Sequence, residues 1–156
     1  MKKLGWAKGK FDLVINLYTS FGYFKTDKEN KEALYELVRA VKPGGYLVIQ
    51  TINRDCLLKV FRPFQWEENS RYSSIAGREY DSKTHYIESY NIFLDKKSGQ
   101  GESSYNRIRL YSMAEMKRLL KSAGLMNLKV LGNFKGDRPN KYSSFHLVYI
   151  GKKPKK

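Results

Sequence analysis

Few side chains in this 156-residue sequence carry chemistry by spacing alone. His85 and His146 stand alone in their segments, without a partner at metal-ligand spacing, so no metal site is expected. Cys56 is the single cysteine. It has no histidine near it in sequence and reads as a small buried residue, not a nucleophile. One cysteine also excludes a disulfide framework and a multi-cysteine metal cluster. Gly99-Gln100-Gly101 begins like a phosphate-binding loop, but it lies between strand-patterned segments and reads as turn chemistry. Position is more informative. In an open parallel sheet, ligands bind beyond the carboxyl ends of the strands. Two strand-like apolar runs therefore nominate the residues that follow them: Asn16, Leu17, Tyr18 and Ser20 after the first, and Thr51, Asn53 and Arg54 after the second. Phe21 and Tyr23 sit in the aromatic loop that continues the first set.

The elements that must place these residues are legible in order. Phe11 to Tyr18 is nearly continuous in apolar residues, the pattern of a strand covered on both faces. Thr26-Asp27-Lys28-Glu29 is a capping box. Behind it Ala33, Leu34, Leu37, Val38 and Val41 form one stripe at helical spacing. Lys42-Pro43-Gly44-Gly45 predicts a stop and a turn, and Tyr46 to Ile52 a second strand. Short connections make residues 11–53 a βαβ unit with adjacent parallel strands and a right-handed crossover. Leu57, Leu58, Val60 and Phe61 suit a short helix, and Phe64 and Trp66 a packed lid. Residues 77–111 read as an antiparallel insertion, with strands at 77–81, 85–94 and 103–111 and a hairpin loop from Asp95 to Gly99. Trp66, Tyr86, Tyr90 and Tyr111 are candidates for a substrate lid, with cross-strand packing the plainer reading. Residues 112–151 complete the chain. Ser112-Met113-Ala114-Glu115 is a second capping box, opening a helix with Met116, Leu119, Leu120 and Ala123 inward and Gly124 at its end. Leu128 to Phe134 and Ser143 to Ile150 are the closing strands.

This order resembles the C-terminal half of a class I S-adenosylmethionine-dependent methyltransferase. Phe11-Asp12-Leu13-Val14 running into Ser20-Phe21-Gly22-Tyr23-Phe24 looks like that fold's fourth strand and active-site loop. Leu37 through Ile49, with the Lys42-Pro43-Gly44-Gly45 turn, looks like the helix, turn and fifth strand. Leu110 through Leu125 looks like the last helix and its approach to the sixth strand. The resemblance implies an α/β fold: half of a Rossmann-like sheet, an antiparallel insertion, a helix and a final antiparallel strand. Its sheet order would be first, second, last and penultimate strand. It also implies S-adenosylmethionine as cofactor, with Asn16 and Leu17 near its methionine part. Tyr18, Ser20, Phe21, Tyr23, Asn53 and Arg54 would then serve the substrate. Family members begin with a glycine-rich strand–turn–helix and a strand ending in an acid that holds the ribose. Neither motif is present, and the ten residues before Phe11 cannot hold that half. The expectation is one truncated methyltransferase-like domain over residues 1–156, not binding the cofactor alone, inactive or completed by a second chain.

Composition limits the remaining choices. Apolar residues make up 41% and charged residues 29%, which excludes a disordered tail. No apolar run reaches the roughly 20 residues of a membrane span, and the basic lead lacks the apolar stretch of a signal peptide. A cytoplasmic protein without membrane contact is expected. The net charge is +15. The excess lies at the ends: residues 1–10 carry four lysines and no acid, while residues 112–156 oppose eleven Lys and Arg to Glu115 and Asp137. Such a field favours acidic partners, so the rival function is a basic nucleic-acid-binding module on a degenerate half-fold. The plainer source is a lysine-rich proteome. Finally, the strand Phe11 to Tyr18 would lack its family neighbour and become a bare apolar edge. That edge predicts a two-fold homodimer, or capture of a complementary cofactor-binding chain.

Overall fold

The computed structural model describes residues 7–155. Most of the basic lead, and Lys156 of the basic tail, lie outside the described residues. The element order is β1 (Phe11–Asn16), α1 (Asp27–Ala40), β2 (Val41–Ile52), α2 (Arg54–Lys59), β3 (Phe64–Glu68), β4 (Tyr72–Tyr80), β5 (Tyr86–Asp95), β6 (Gly101–Arg109), α3 (Met113–Ser122), β7 (Met126–Leu131) and β8 (His146–Lys152). The strands form two four-stranded sheets, ordered β1-β2-β8-β7 and β3-β4-β5-β6.

In the first sheet, β1 and β2 are parallel, and β8 runs antiparallel to both β2 and β7. This is the order expected from sequence. Both capping boxes form: Thr26 with Glu29, and Ser112 with Glu115. The stripes of α1 and α3 cover one face of the sheet. Leu34, Leu37 and Val38 from α1 pack with Met116, Leu119 and Leu120 from α3 over Leu47, Ile49, Leu147 and Tyr149. β1 stands at the sheet's edge, with Leu13 and Ile15 exposed on the face away from the helices.

The Lys42-Pro43-Gly44-Gly45 segment is not a free turn. It lies within β2, where Phe11 pairs with Val41 but Leu13 already pairs with Tyr46. The extra residues form a bulge, which bends the strand while keeping both ends in register. Gly44 takes φ +83, and a Cβ on Gly45 would sit 2.7 Å from the Asp12 carbonyl oxygen. Two glycines are therefore required for backbone reasons. The basic tail runs against this bulge. Lys153 Nζ donates to the carbonyls of Val38 (2.9 Å) and Val41 (2.7 Å) and so satisfies the end of α1.

The second sheet is wider than the sequence patterning showed. It begins at Phe64, not residue 77, because β3 pairs along β4 from Phe64↔Gly77 to Glu68↔Ser73. β3 escaped the reading because its two apolar residues both point to solvent: Phe64 is 78% and Trp66 59% exposed. One end of the sheet packs on the first through Ile87, Ile108 and Leu110, against Ile52, Leu57 and Phe61.

Candidate functional site

A cleft of about 420 Å³ opens where the two sheets meet. Ile52, the last residue of β2, forms its floor with Ile87 and Ile108 from the second sheet. Leu57 and Phe61, from α2 and just beyond it, close one side, and Tyr23 stands on the other. The polar groups on its wall are Gln65, Arg78, Ser89, Asn106 and Arg62. Arg78 Nη1 donates to Gln65 Oε1 at 2.7 Å, which fixes the guanidinium against the wall. No Asp, Glu or His is among the described lining residues. A cleft of this size, mostly apolar with a few convergent polar groups, suits a small molecule. It can hold and orient a ligand; it has no side chain suited to remove a proton near neutral pH.

The end of β1 carries an unusual backbone. Tyr18 and Thr19 both have positive φ, 53° and 56°. Neither residue type favours that region, and such strain gathers at functional sites. The Tyr18 N–H donates to Gln50 Oε1 at 2.9 Å, leaving its side chain 89% exposed. Ser20 closes the turn: its hydroxyl donates to the Leu17 carbonyl at 2.6 Å. Asn16 is buried, and its Oδ1 has no hydrogen-bond partner. A buried orphan acceptor is costly, and it marks a place where a donor fits.

The other nominated residues have different surroundings. Phe21 faces the core, its ring 5.4 Å from that of Tyr111. Asn53 is fully buried and anchors the segment before β8: its Nδ2 donates to the carbonyls of Lys141 (2.8 Å) and Ser144 (2.9 Å). Arg54 Nη1 lies 2.7 Å from Glu115 Oε2. Of the lid candidates, Trp66 and Tyr90 are on the solvent face of the second sheet, and Tyr86 and Tyr111 are buried. Cys56 is buried and free. Tyr23 alone among the nominated residues lines the cleft. The cleft residues from the second sheet were missed because Arg78, Ser89 and Asn106 look like ordinary strand polar positions; only the docking of the two sheets brings them together.

Arg54 belongs to a polar seam that binds the sheets together. The Tyr111 hydroxyl donates to Asp27 Oδ1 at 2.7 Å. Arg109 Nη2 donates to Glu115 Oε1 at 3.0 Å. The Tyr86 hydroxyl donates to the Phe24 carbonyl at 3.0 Å and accepts from Asn30 Nδ2 at 3.1 Å. Arg107 stacks over the Tyr86 ring at 3.8 Å. Burial, reinforced by the Asp27 carboxylate, pushes the Tyr111 hydroxyl far above its ordinary range. Burial also opposes ionisation of Glu115. The Ser112 N–H and the Arg109 and Arg54 guanidiniums outweigh it and hold the carboxyl down to about 2. Among the described residues no group of three or more His, Cys, Asp or Glu is placed to hold a metal ion. No described helix is long and apolar enough to cross a membrane.

The whole arrangement recurs in known structures. The chain superimposes on the CcbJ methyltransferase from Streptomyces caelestis with TM-score 0.85 at 17% identity, covering 98% of this chain and 61% of that one. A methyltransferase from Clostridium acetobutylicum gives TM-score 0.86 at 15% identity, covering 98% and 62%. The fold is that of the S-adenosylmethionine-dependent methyltransferases. A third example, an amino pentose methyltransferase from Micromonospora echinaspora solved with its cofactor bound, gives TM-score 0.60 at 16% identity, covering 92% and 58%. The chain thus spans about three fifths of the length of each of these three methyltransferases. No protein-family model matches it, and no curated protein does.

Proposed function

We propose that this chain is the acceptor-binding part of an S-adenosylmethionine-dependent methyltransferase acting on a small molecule. The observation that carries the reading is the cleft, open at the end of β2, where ligands of parallel sheets lie. The cofactor, when bound, supplies an electrophilic methyl group on sulfur. Asn16 fits its methionine ammonium group, because the orphan Oδ1 needs a donor. Leu17 would flank the same part. The described residues offer nothing for the ribose or adenine, so the fit covers one side of the cofactor only. The glycine-rich half is proposed to come from sequence outside these residues, joined through the exposed edge of β1.

This chain's own contribution is alignment. Apolar walls exclude water and seat the acceptor, while Ser89, Asn106 and Arg78 fix its orientation. With no carboxylate or imidazole on the described lining, the acceptor must arrive with a free lone pair, as a neutral amine does. Two of the similar structures are an amino pentose methyltransferase and a sugar N-methyltransferase, in keeping with an amine acceptor.

The test is complementation. The chain is mixed with, or fused to, the glycine-rich half of a methyltransferase of this fold, and methyl transfer to amino sugars is measured. Transfer that falls at least about tenfold in Asn106→Leu supports the reading. Full transfer in that variant would mean the acceptor sits elsewhere. Nucleic-acid binding is the competing outcome, recognised by an affinity that falls steeply with salt.

A further inference from the structure

The second sheet has two faces, and only one is accounted for by the cleft. On the other face, register places Phe64, Gly77, Tyr90 and Tyr105 in one row and Trp66, Ile75, Ile92 and Ser103 in the next. Directly paired residues point to the same side of a sheet. The exposures are 78% for Phe64, 59% for Trp66, 42% for Ile75, 53% for Tyr90, 55% for Ile92 and 53% for Tyr105. Weighted by side-chain size, these six expose roughly 700–800 Å², above the largest apolar patch of a typical monomer, about 300–600 Å². It also matches the roughly 800 Å² that each partner of a standard stable interface contributes. The Tyr90 and Tyr105 rings already pack against each other, tilted by 41° with centroids 4.8 Å apart, so part of the surface is ordered in advance.

We infer that this face is a homodimer interface: two copies pack their second sheets face to face across a two-fold axis. The charges select a second copy. The chain carries +15, and most of its surface would repel another copy. The stretch 56–111 is nearly balanced, with nine Lys and Arg against seven Asp and Glu. At the border of the patch Arg107 pairs with Glu88 at 3.1 Å and Lys96 with Glu68, while Glu79 stands exposed beside Glu88. Among the described residues, the two cations at this border, Arg107 and Lys96, are both ion-paired, which does not suit a nucleic acid or an anionic membrane. An apolar centre with a polar rim whose cations are already paired suits an isologous contact. Two sheets packed this way lie about 10 Å apart with their side chains interleaved. The inference does not depend on the methyltransferase reading, and the interface is separate from the β1 edge.

Sedimentation equilibrium of the full chain, from low to high micromolar concentration, tests it. The wild type should be a dimer. Ile92→Asp and Tyr105→Lys, checked for native circular dichroism, should each weaken association at least about 30-fold, as loss of a central anchor does. Leu13→Asp, on β1, should leave the dimer intact. In a Trp6→Phe background, acrylamide quenching of Trp66 should fall as concentration rises. A monomer at every concentration, unchanged quenching, or a dimer lost in Leu13→Asp but kept in Ile92→Asp would overturn the inference.

Discussion

The two sheets of this chain solve the burial problem in different ways. The first hides one face under two helices and leaves the opposite face and the β1 edge bare. The second has no helix across its outer face, and it is held to the first by a small apolar cluster and a seam of arginines, tyrosines and carboxylates. A helix-covered sheet derives its stability from packing; a seam-docked sheet depends on satisfied polar groups and ionisation. The cleft lies on their junction. Ile52 of the packed sheet and Ile87 and Ile108 of the docked sheet share the floor, so the docking sets the cleft's width.

The largest difference is expected in the first sheet's core. Leu47→Ala, fully buried under both helices, should cost about 3 kcal/mol in denaturant unfolding. Phe93→Ala, half exposed on the second sheet, should cost less than about 1 kcal/mol. Equal costs would erase the distinction between the sheets. Gly45→Ala should cost about 2 kcal/mol, since its Cβ meets the Asp12 and Lys42 carbonyls at 2.7 and 3.1 Å and must push β1 from β2.

The seam should show in the pH dependence. Ionised Glu115 favours the folded state, because folding lowers its pKa from the ordinary 4.5 to about 2. That contribution is complete above about pH 4.5 and disappears as pH falls toward 2. Asp27, lowered in the same direction, adds to it. Urea unfolding midpoints should drop through this window in the wild type and drop less in Glu115→Gln, which should be the less stable protein at pH 7. A parallel pH profile would remove the seam from the account. The smallest stability effects belong to the helix caps, where Thr26→Ala and Ser112→Ala should each cost about 1 kcal/mol.

How much of this was legible depended on the range of the forces involved. Capping boxes and apolar stripes are local, and α1, α3, β2 and the order of the first sheet follow from them. The Lys42–Gly45 bulge was hidden because Pro-Gly-Gly chemistry suits both a turn and a bulge, and the pairing of Phe11 and Leu13 across it decides. β3 was hidden because its apolar residues face solvent, so alternation gave no inward signal. Position after a strand nominated Asn16 and Tyr18, which do not line the cleft, and Asn53 and Arg54, which serve the scaffold through partners 61 to 91 residues away. Lys153 carries the same lesson for the charged tail. Deleting 152–156 removes the cation that satisfies the end of α1, so a change in RNA binding has meaning only beside Lys153→Met, which breaks the cap but keeps the other tail lysines.

The central claim is that the described residues hold the acceptor side of a methyltransferase and only one edge of its cofactor. Isothermal titration of S-adenosylmethionine into the 156-residue chain tests it most directly. The account predicts no heat of binding at micromolar cofactor, and micromolar binding once a glycine-rich half is fused ahead of β1, weakened in Asn16→Leu. A clear micromolar dissociation constant for the chain alone would contradict it.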